Sequence, residues 1–306
     1  MKLYIHPVLN NDEKAYFSDQ ADARVELIFN DGTNEFSRCQ HCEVAIGNFD
    51  TDWIERMGNL TTILLDSVGT DNFNNFQWPS ERKISVHNLN DFFSVPVAEE
   101  ALASVLSVYR QLPALREAQR QGRWIKDELR PLKRLMSGEK VLLVGYGNIG
   151  QRLEQLLTVF NCQITTFNKQ DMELGGKENL IRKVSESDII FSTIPATPET
   201  HEIFNREVFS AMPKGATFLN VGRGQVVDEF ALCDKAKADS SFNACLDVTV
   251  QEPINQDSEL WQLPNIHLTQ HTGGGSLDEN YKKIDSYISQ INRLLSSEPL
   301  INTIQF

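Results

Sequence analysis

No apolar run in this chain of 306 residues approaches the roughly 18 to 20 that a helix needs to cross a bilayer. The start, Met1-Lys2-Leu3-Tyr4-Ile5-His6-Pro7, meets a proline too soon for the apolar core of a secretory signal. It is read as the first buried strand of a cytoplasmic protein. Cysteine is scarce and odd in number, five in all, and Cys162, Cys233 and Cys245 sit in mostly apolar contexts. Reduced thiols fit this better than a disulfide framework. The one suggestive spacing, Cys39-Gln40-His41-Cys42, lacks the second ligand pair of a zinc site. A redox pair should open a helix, whereas this one runs into Val44-Ala45-Ile46; it is read as a loop before a strand, and no metal is expected. Basic residues are in deficit as well: 29 Lys and Arg against 42 Asp and Glu leave a net charge of −13. A surface of that sign repels phosphate backbones and anionic lipid, so neither nucleic acid nor a membrane is an expected partner. A small anionic ligand would need a local cluster of positive groups. Glycine and proline, 17 and 11, are too few for a low-complexity chain. The length admits one large domain or two.

What the sequence has is rhythm. Up to about residue 92, the short apolar runs Leu3 to Ile5, Val25 to Phe29, Val44 to Ile46, Thr62 to Leu65 and Ile84 to Val86 alternate with polar or amphipathic stretches, as βα units of a parallel sheet do. A helix with Leu102, Val105, Leu106 and Tyr109 on one face follows Pro96 and marks the crossing into a second domain. The basic segment from Gln111 to Glu139, with Trp124, has no clean period; it reads as a dimer arm or a surface connection. From Val141 the rhythm resumes in six runs: Val141 to Val144, Gln163 to Phe167, Ile189 to Ser192, Thr217 to Asn220, Asn243 to Asp247 and Ile266 to Leu268. Six strands suffice for a doubly wound dinucleotide domain. Ser276-Leu277-Asp278-Glu279 has the spacing of a capping box and is expected to open a helix reaching about Leu295.

Gly145-Tyr146-Gly147-Asn148-Ile149-Gly150 follows the first of these runs directly, and Ile149, Leu153, Leu156, Leu157 and Phe160 then lay out one helical face. In that setting the glycines allow a tight turn, close approach of a pyrophosphate to the backbone, and close helix-to-strand packing. Gly145, Gly147, Asn148 and Ile149 are therefore candidate cofactor contacts. An acid about 20 residues further on would bind the ribose 2′-OH of NAD; here Asn168 and Lys169 stand at the strand end, with Asp171 close behind. An uncharged side chain followed by a cation suits a 2′-phosphate, so NADP(H) is favoured over NAD(H), with Asp171 the residue able to reverse that choice. The fingerprint begins about 140 residues into the chain, and sequence continues beyond the sixth strand. The dinucleotide domain, 93–277, is thus expected to be inserted into another formed by 1–92 plus 278–306.

Three segments close the later strands: Asn220-Val221-Gly222-Arg223-Gly224, Leu246-Asp247-Val248-Thr249-Val250-Gln251-Glu252-Pro253, and Thr269-Gln270-His271-Thr272-Gly273-Gly274. Carboxyl ends of strands line the ligand crevice of such sheets, so an arginine, a glutamate and a histidine delivered there are candidates for one site. With these segments the sequence resembles the D-isomer-specific 2-hydroxyacid dehydrogenases of the glyoxylate/hydroxypyruvate reductase kind. Ile194-Pro195-Ala196-Thr197-Pro198-Glu199-Thr200, Ser67-Val68-Gly69-Thr70-Asp71 and Val97-Ala98-Glu99 also match the family's segments in order. The resemblance spans about residues 62 to 276. Gln270 stands where the family usually has proline, and Tyr146 where it has leucine or phenylalanine.

The fold class expected is α/β with two doubly wound parallel-sheet domains, a flavodoxin-like substrate domain and a Rossmann dinucleotide domain inserted into it. The resemblance implies reduction of a small 2-keto acid to the D-2-hydroxy acid by a homodimer. His271 would supply the proton, paired with Glu252, and Arg223 would grip the substrate carboxylate, a planar fork on a planar anion. It also implies that the backbone of Val68 and Gly69 holds the carboxylate and that Ile194, Pro195, Thr200, Val221, Gly222, Asp247 and Gly273 line the cofactor. Asn48 and the loops around Trp53 and Trp78 would meet the substrate's side chain. The other histidines, His6, His41, His87, His201 and His267, are assigned no chemistry. Two alternatives remain at this point: a dinucleotide-sensing dimeric interaction protein of the corepressor type, and a short phosphoglycerate dehydrogenase.

Overall fold

The computed structural model describes residues 1–73 and 76–306. The chain packs as two compact units, one of Met1–Phe93 with Ser276–Phe306, the other of Ser94–Gly275. The first opens with β1 (Lys2–Ile5), α1 (Asn11–Gln20), β2 (Glu26–Phe29), β3 (Val44–Ile46), α2 (Asp52–Arg56), β4 (Thr62–Leu64) and β5 (Ser85–His87). The second begins with α3 (Ser94–Tyr109), α4 (Leu112–Arg120), α5 (Lys126–Leu129), β6 (Lys140–Val144), α6 (Asn148–Val159) and β7 (Gln163–Phe167). It continues through α7 (Lys169–Ser185), β8 (Ile189–Ser192), α8 (Arg206–Ala211), β9 (Thr217–Asn220), α9 (Glu229–Ala238), β10 (Asn243–Leu246) and β11 (Ile266–Leu268). The chain returns to the first unit with α10 (Glu279–Leu295) and β12 (Thr303–Ile304).

In the first unit the sheet order is β12-β5-β4-β3-β1-β2, parallel except for β12 against β5. This is the flavodoxin-like order with one added edge strand. Side chains alternate across the sheet, and both faces are apolar. Leu3, Ile5, Val44, Ile46 and Leu64 pack on one side with Phe17, Ile284, Tyr287 and Ile291. Tyr4, Ala45, Ile63 and Leu65 pack on the other with Ile54, Met57 and Phe73. Burial on both faces is why these strands read as unbroken apolar runs rather than alternating ones. Cys39 and Cys42 are part of the second core, and burial pushes both thiols up to about 11. Their spacing is filled by packing.

The second sheet runs β11-β10-β9-β8-β6-β7, every neighbour parallel. The usual dinucleotide sheet has a further strand outside the second one. Here the chain leaves β7, passes through α7, and crosses directly to β8 on the other side of β6. β7 is therefore an edge strand, which explains why Gln163 and Thr165 on it are exposed. Helix α3 buries Val97, Ala98, Ala101, Val105, Val108 and Tyr109; Leu102 and Leu106, expected on the buried face, are half-buried.

The expected capping box at Ser276 does not form. Asp278 is the cap residue of α10 and makes no side-chain cap bond; its carboxylate pairs with Lys282 at 2.9 Å. Reciprocal boxes form instead at Asn10 with Glu13 and at Asn168 with Asp171.

Candidate active site

β6 ends in a turn that needs its glycines for different reasons. Gly145 has φ +99°, and a Cβ there would lie 2.5 Å from Thr193 Oγ1. Gly150 sits under the turn, where a Cβ would lie 2.4 Å from the Gly145 carbonyl oxygen. At Gly147, the cap residue of α6, a Cβ would meet nothing within 4 Å. The first and third positions are thus closed by the protein itself, while the second opens on free space in front of the α6 amino terminus, next to Asn148 and Ile149. That is the shape a pyrophosphate requires, and a nicotinamide dinucleotide fits it.

The walls of this cradle are the loops after β8 and β9. Thr200 Oγ1 donates to the Pro195 carbonyl at 2.7 Å and accepts from the Thr197 N–H at 2.8 Å, closing the loop that carries Ile194. Gly222 lies against it, for a Cβ there would stand 2.3 Å from the Ile194 carbonyl oxygen. Asn220, fully buried, holds the Val221–Arg223 turn from within: its Oδ1 accepts from Gly222 N at 3.1 Å and its Nδ2 donates to Arg223 O at 2.9 Å. Arg223 Nη1 donates to the Gly222 carbonyl at 2.8 Å.

At the end of β7, Asn168 caps α7, its Oδ1 accepting from Gln170 N and Asp171 N. Asp171, the acid that stood near the expected ribose position, is engaged elsewhere. Its carboxylate accepts from Asn168 N at 3.0 Å, Asn179 Nδ2 at 3.2 Å and Lys183 Nζ at 2.5 Å. Partial burial works to raise its pKa, but the lysine and these N–H donors hold it below the usual range. Lys169 is exposed on the first turn of α7. It lies near enough to Glu199 to help lower that carboxyl, after the larger effect of the Thr197 hydroxyl.

The third group forms behind β10 and β11. His271 Nδ1 and Glu252 Oε2 are 2.6 Å apart. A carboxylate only accepts, so Nδ1 carries the hydrogen and Nε2 is left for another partner. The other carboxylate oxygen, Oε1, accepts from Thr249 N at 2.9 Å. One residue on, Val250 N donates to Glu229 Oε1 at 2.8 Å, and burial raises the Glu229 pKa. A Cβ on Gly224 would stand 1.9 Å from the Thr249 carbonyl carbon, so the arginine and glutamate loops meet backbone against backbone. Asp247 is buried; its carboxylate accepts from Thr269 Oγ1, Thr272 N and Gly273 N at 2.7, 3.0 and 3.2 Å. A cavity of 440 Å³ adjoins the pair, walled by Ile254, Trp261 and Leu268 beside Glu252 and His271.

The remaining candidates belong to the first unit. The carbonyl of Val68 accepts from Asn88 Nδ2 at 2.7 Å and that of Gly69 from Ser67 Oγ at 2.7 Å. Asn48 Oδ1 accepts from Asp66 N at 3.3 Å. Trp53 stacks on Phe49, and Trp78 on Phe73 and Phe306. Asn88, Thr249 and Glu229 carry no sequence signal of a role. Asn88 and Glu229 act by bonds to backbone twenty or more positions away, at Val68 and Val250, that only the folded chain brings within reach.

The D-isomer specific 2-hydroxyacid dehydrogenase family, by its NAD binding domain, matches residues 102–273. A hydroxyphenylpyruvate reductase of Plectranthus scutellarioides is 28% identical over 258 residues, 83% of this chain and 82% of that protein. Glyoxylate/hydroxypyruvate reductase B of Escherichia coli O6:H1 is 32% identical over 243 residues, 76% of this chain and 74% of that one. Among solved structures, a D-isomer specific 2-hydroxyacid dehydrogenase family protein from Aeromonas salmonicida superposes with a TM-score of 0.86 at 21% identity, covering 99% of this chain and 98% of that chain. The chain belongs to the D-isomer specific 2-hydroxyacid dehydrogenase family and is an NAD(P)-dependent oxidoreductase acting on the CH–OH group of its donor.

Proposed function

We propose that this protein reduces a small 2-keto acid of the glyoxylate/hydroxypyruvate type to the D-2-hydroxy acid, in the cytoplasm and as a homodimer, with NADP(H) favoured over NAD(H). The observation that carries the reading is the 2.6 Å pair of His271 Nδ1 and Glu252 Oε2, with the glutamate fixed in turn by Thr249 N. An imidazole held at Nδ1 by a carboxylate has its ring orientation fixed and presents Nε2 as the proton donor. When bound, the nicotinamide supplies the hydride to the keto carbon. His271 delivers the proton to the oxygen that this leaves negative. Arg223 binds the substrate carboxylate and polarises the carbonyl, and the N–H groups of Val68 and Gly69 take the other side of that carboxylate. Residues 1–92 with 278–306 serve as the substrate domain and 93–277 as the dinucleotide domain.

Support for NADP(H) comes from the β7 end. Asp171 is committed to Asn168, Asn179 and Lys183, which leaves an amide and the exposed Lys169 where a carboxylate would reject a 2′-phosphate. For the dimer, the support is the apolar surface of the arm: Leu112, Trp124, Leu132 and Leu135 are 49%, 90%, 57% and 67% exposed, more than one segment of a monomer usually leaves in water. The test is purified protein with NADPH or NADH and a panel of 2-keto acids, followed at the nicotinamide absorbance. Oxidation of neither cofactor with any member of the panel overturns the reading.

A further inference from the structure

His271 and the residue before it have an unusual backbone. Gln270 has φ +59° and His271 φ +56°. Two consecutive L-residues in the left-handed region are disfavoured, because Cβ crowds the following carbonyl; such a pair persists only where its surroundings over-determine it. Most of the bonds that hold this turn go to one residue, Asp247. Asp247 O accepts from His271 N at 2.6 Å, and the Asp247 carboxylate accepts from Thr272 N, Gly273 N and Thr269 Oγ1. Thr272 Oγ1 then donates to Thr269 O at 2.5 Å, closing the turn. Three successive N–H groups converging on a single acidic residue make a backbone nest, and the chain must reverse at Gln270 and His271 to aim them. The fit leaves no slack: a Cβ on Gly273 would lie 2.8 Å from Asp247 Oδ2.

We propose that Asp247 and Gln270 are positioning residues for His271. Asp247 does not touch the imidazole. It holds the left-handed turn that carries the ring to Glu252, and Gln270 serves by adopting a φ that proline, locked near −65°, cannot reach. This rests on the proton-donor reading of His271. A proline at this position would be harmful to this chain.

The experiment compares kcat, KM for the keto acid, NADPH affinity by fluorescence titration, and thermal midpoint. Gln270→Pro is expected to lower kcat by roughly 10- to 100-fold, the scale of an ångström-sized misplacement of a catalytic group, with NADPH affinity within about twofold. Gln270→Gly, free to take positive φ, rescues kcat to within about threefold of the parent protein. Asp247→Asn, which puts an N–H where an accepting oxygen was, lowers kcat by roughly the same 10- to 100-fold. If Gln270→Pro fails to fold, Gln270→Val takes its place, since a β-branched residue resists positive φ while keeping the N–H. The proposal falls if the proline or valine variant keeps full kcat, if glycine is as damaging as proline, or if Asp247→Asn keeps full kcat. His271→Ala, run alongside, separates the two levels: an undiminished kcat there removes the proton-donor reading itself.

Discussion

Gly147 and Gly150 belong to one fingerprint, yet methyl groups added to them meet opposite fates. At Gly147 a Cβ meets nothing within 4 Å, and the backbone, at φ −80° and ψ −161°, is extended and open to any residue. Gly147→Ala therefore leaves the ligand-free protein nearly intact, altering a helix cap at a cost of about 1 kcal/mol or less. Its methyl occupies the space where the pyrophosphate comes closest to backbone, so NADPH affinity falls about tenfold or more, equivalent to about 1.4 kcal/mol. Gly150→Ala places its methyl 2.4 Å from the Gly145 carbonyl oxygen, and neither backbone segment yields easily. Overpacking of this kind costs about 3 kcal/mol at the upper end of its range. Alanine gains about 1 kcal/mol over glycine inside a helix. The net loss of about 2 kcal/mol, in a unit of this size, lowers the melting temperature by roughly 4–8 °C. Thermal melts without ligand and a fluorescence titration with NADPH check both halves. Normal NADPH affinity in Gly147→Ala, or a Gly150→Ala protein that melts with the parent, refutes the division of labour drawn from the turn.

His271→Ala should lower kcat by roughly 10²-fold or more, the scale of a lost general acid, and steady-state kinetics with NADPH affinity measured in parallel would expose any other role. Arg223→Ala should raise KM for the keto acid as well as lower kcat; an effect confined to cofactor binding contradicts its assignment to substrate. Lys169→Asp should move the ratio of kcat/KM for NADPH over NADH towards NADH, and an unmoved ratio means that Lys169 does not meet the 2′-phosphate. Acid stability offers a check on the fold. Burial tends to raise the Asp239 pKa, but bonds from Ser241 and Gly215 N and the nearby Lys235 bring it from 3.8 down to about 2. A folded-state pKa below the unfolded value means stability that is complete above pH 3.8 and drains away as the pH falls towards 2. Asp239→Asn should therefore lower the urea midpoint at pH 7 and flatten its decline between pH 4 and pH 2; equal loss at both pH values would show that this carboxylate's ionisation is irrelevant.

Much of the fold was legible because parallel strands covered on both faces must be apolar at consecutive positions. Leu3 to Ile5, Val44 to Ile46, Ile189 to Ser192 and Thr217 to Asn220 could be marked as strands with no knowledge of their neighbours, and all four are. Gly145 to Gly150 announced a turn before a helix for a similarly local reason, since the constraint on each glycine comes from atoms a few residues away or from the adjoining strand. The capping box at Ser276 was local too, and it did not form: the helix starts one residue after Asp278, and Glu279 pairs with Lys283 at 2.6 Å.

By itself, then, the sequence determined element types, the α/β class, the place of the nucleotide fingerprint and the identity of the chemical groups at the strand ends. Only the tertiary structure decided what those groups do to one another. Glu252 and His271 lie nineteen positions apart yet meet at 2.6 Å. Asp171 is withdrawn from the β7 end by Lys183, and Asp247 is spent on holding the histidine's turn. Strand order was also beyond the sequence: nothing in the spacing of β7 and β8 says on which side of β6 the chain will cross. The physical reason is common to all of these. Backbone preferences and hydrophobic period are set by near neighbours along the chain, whereas a carboxylate's partner is whichever donor the packed core brings within about 3 Å of it.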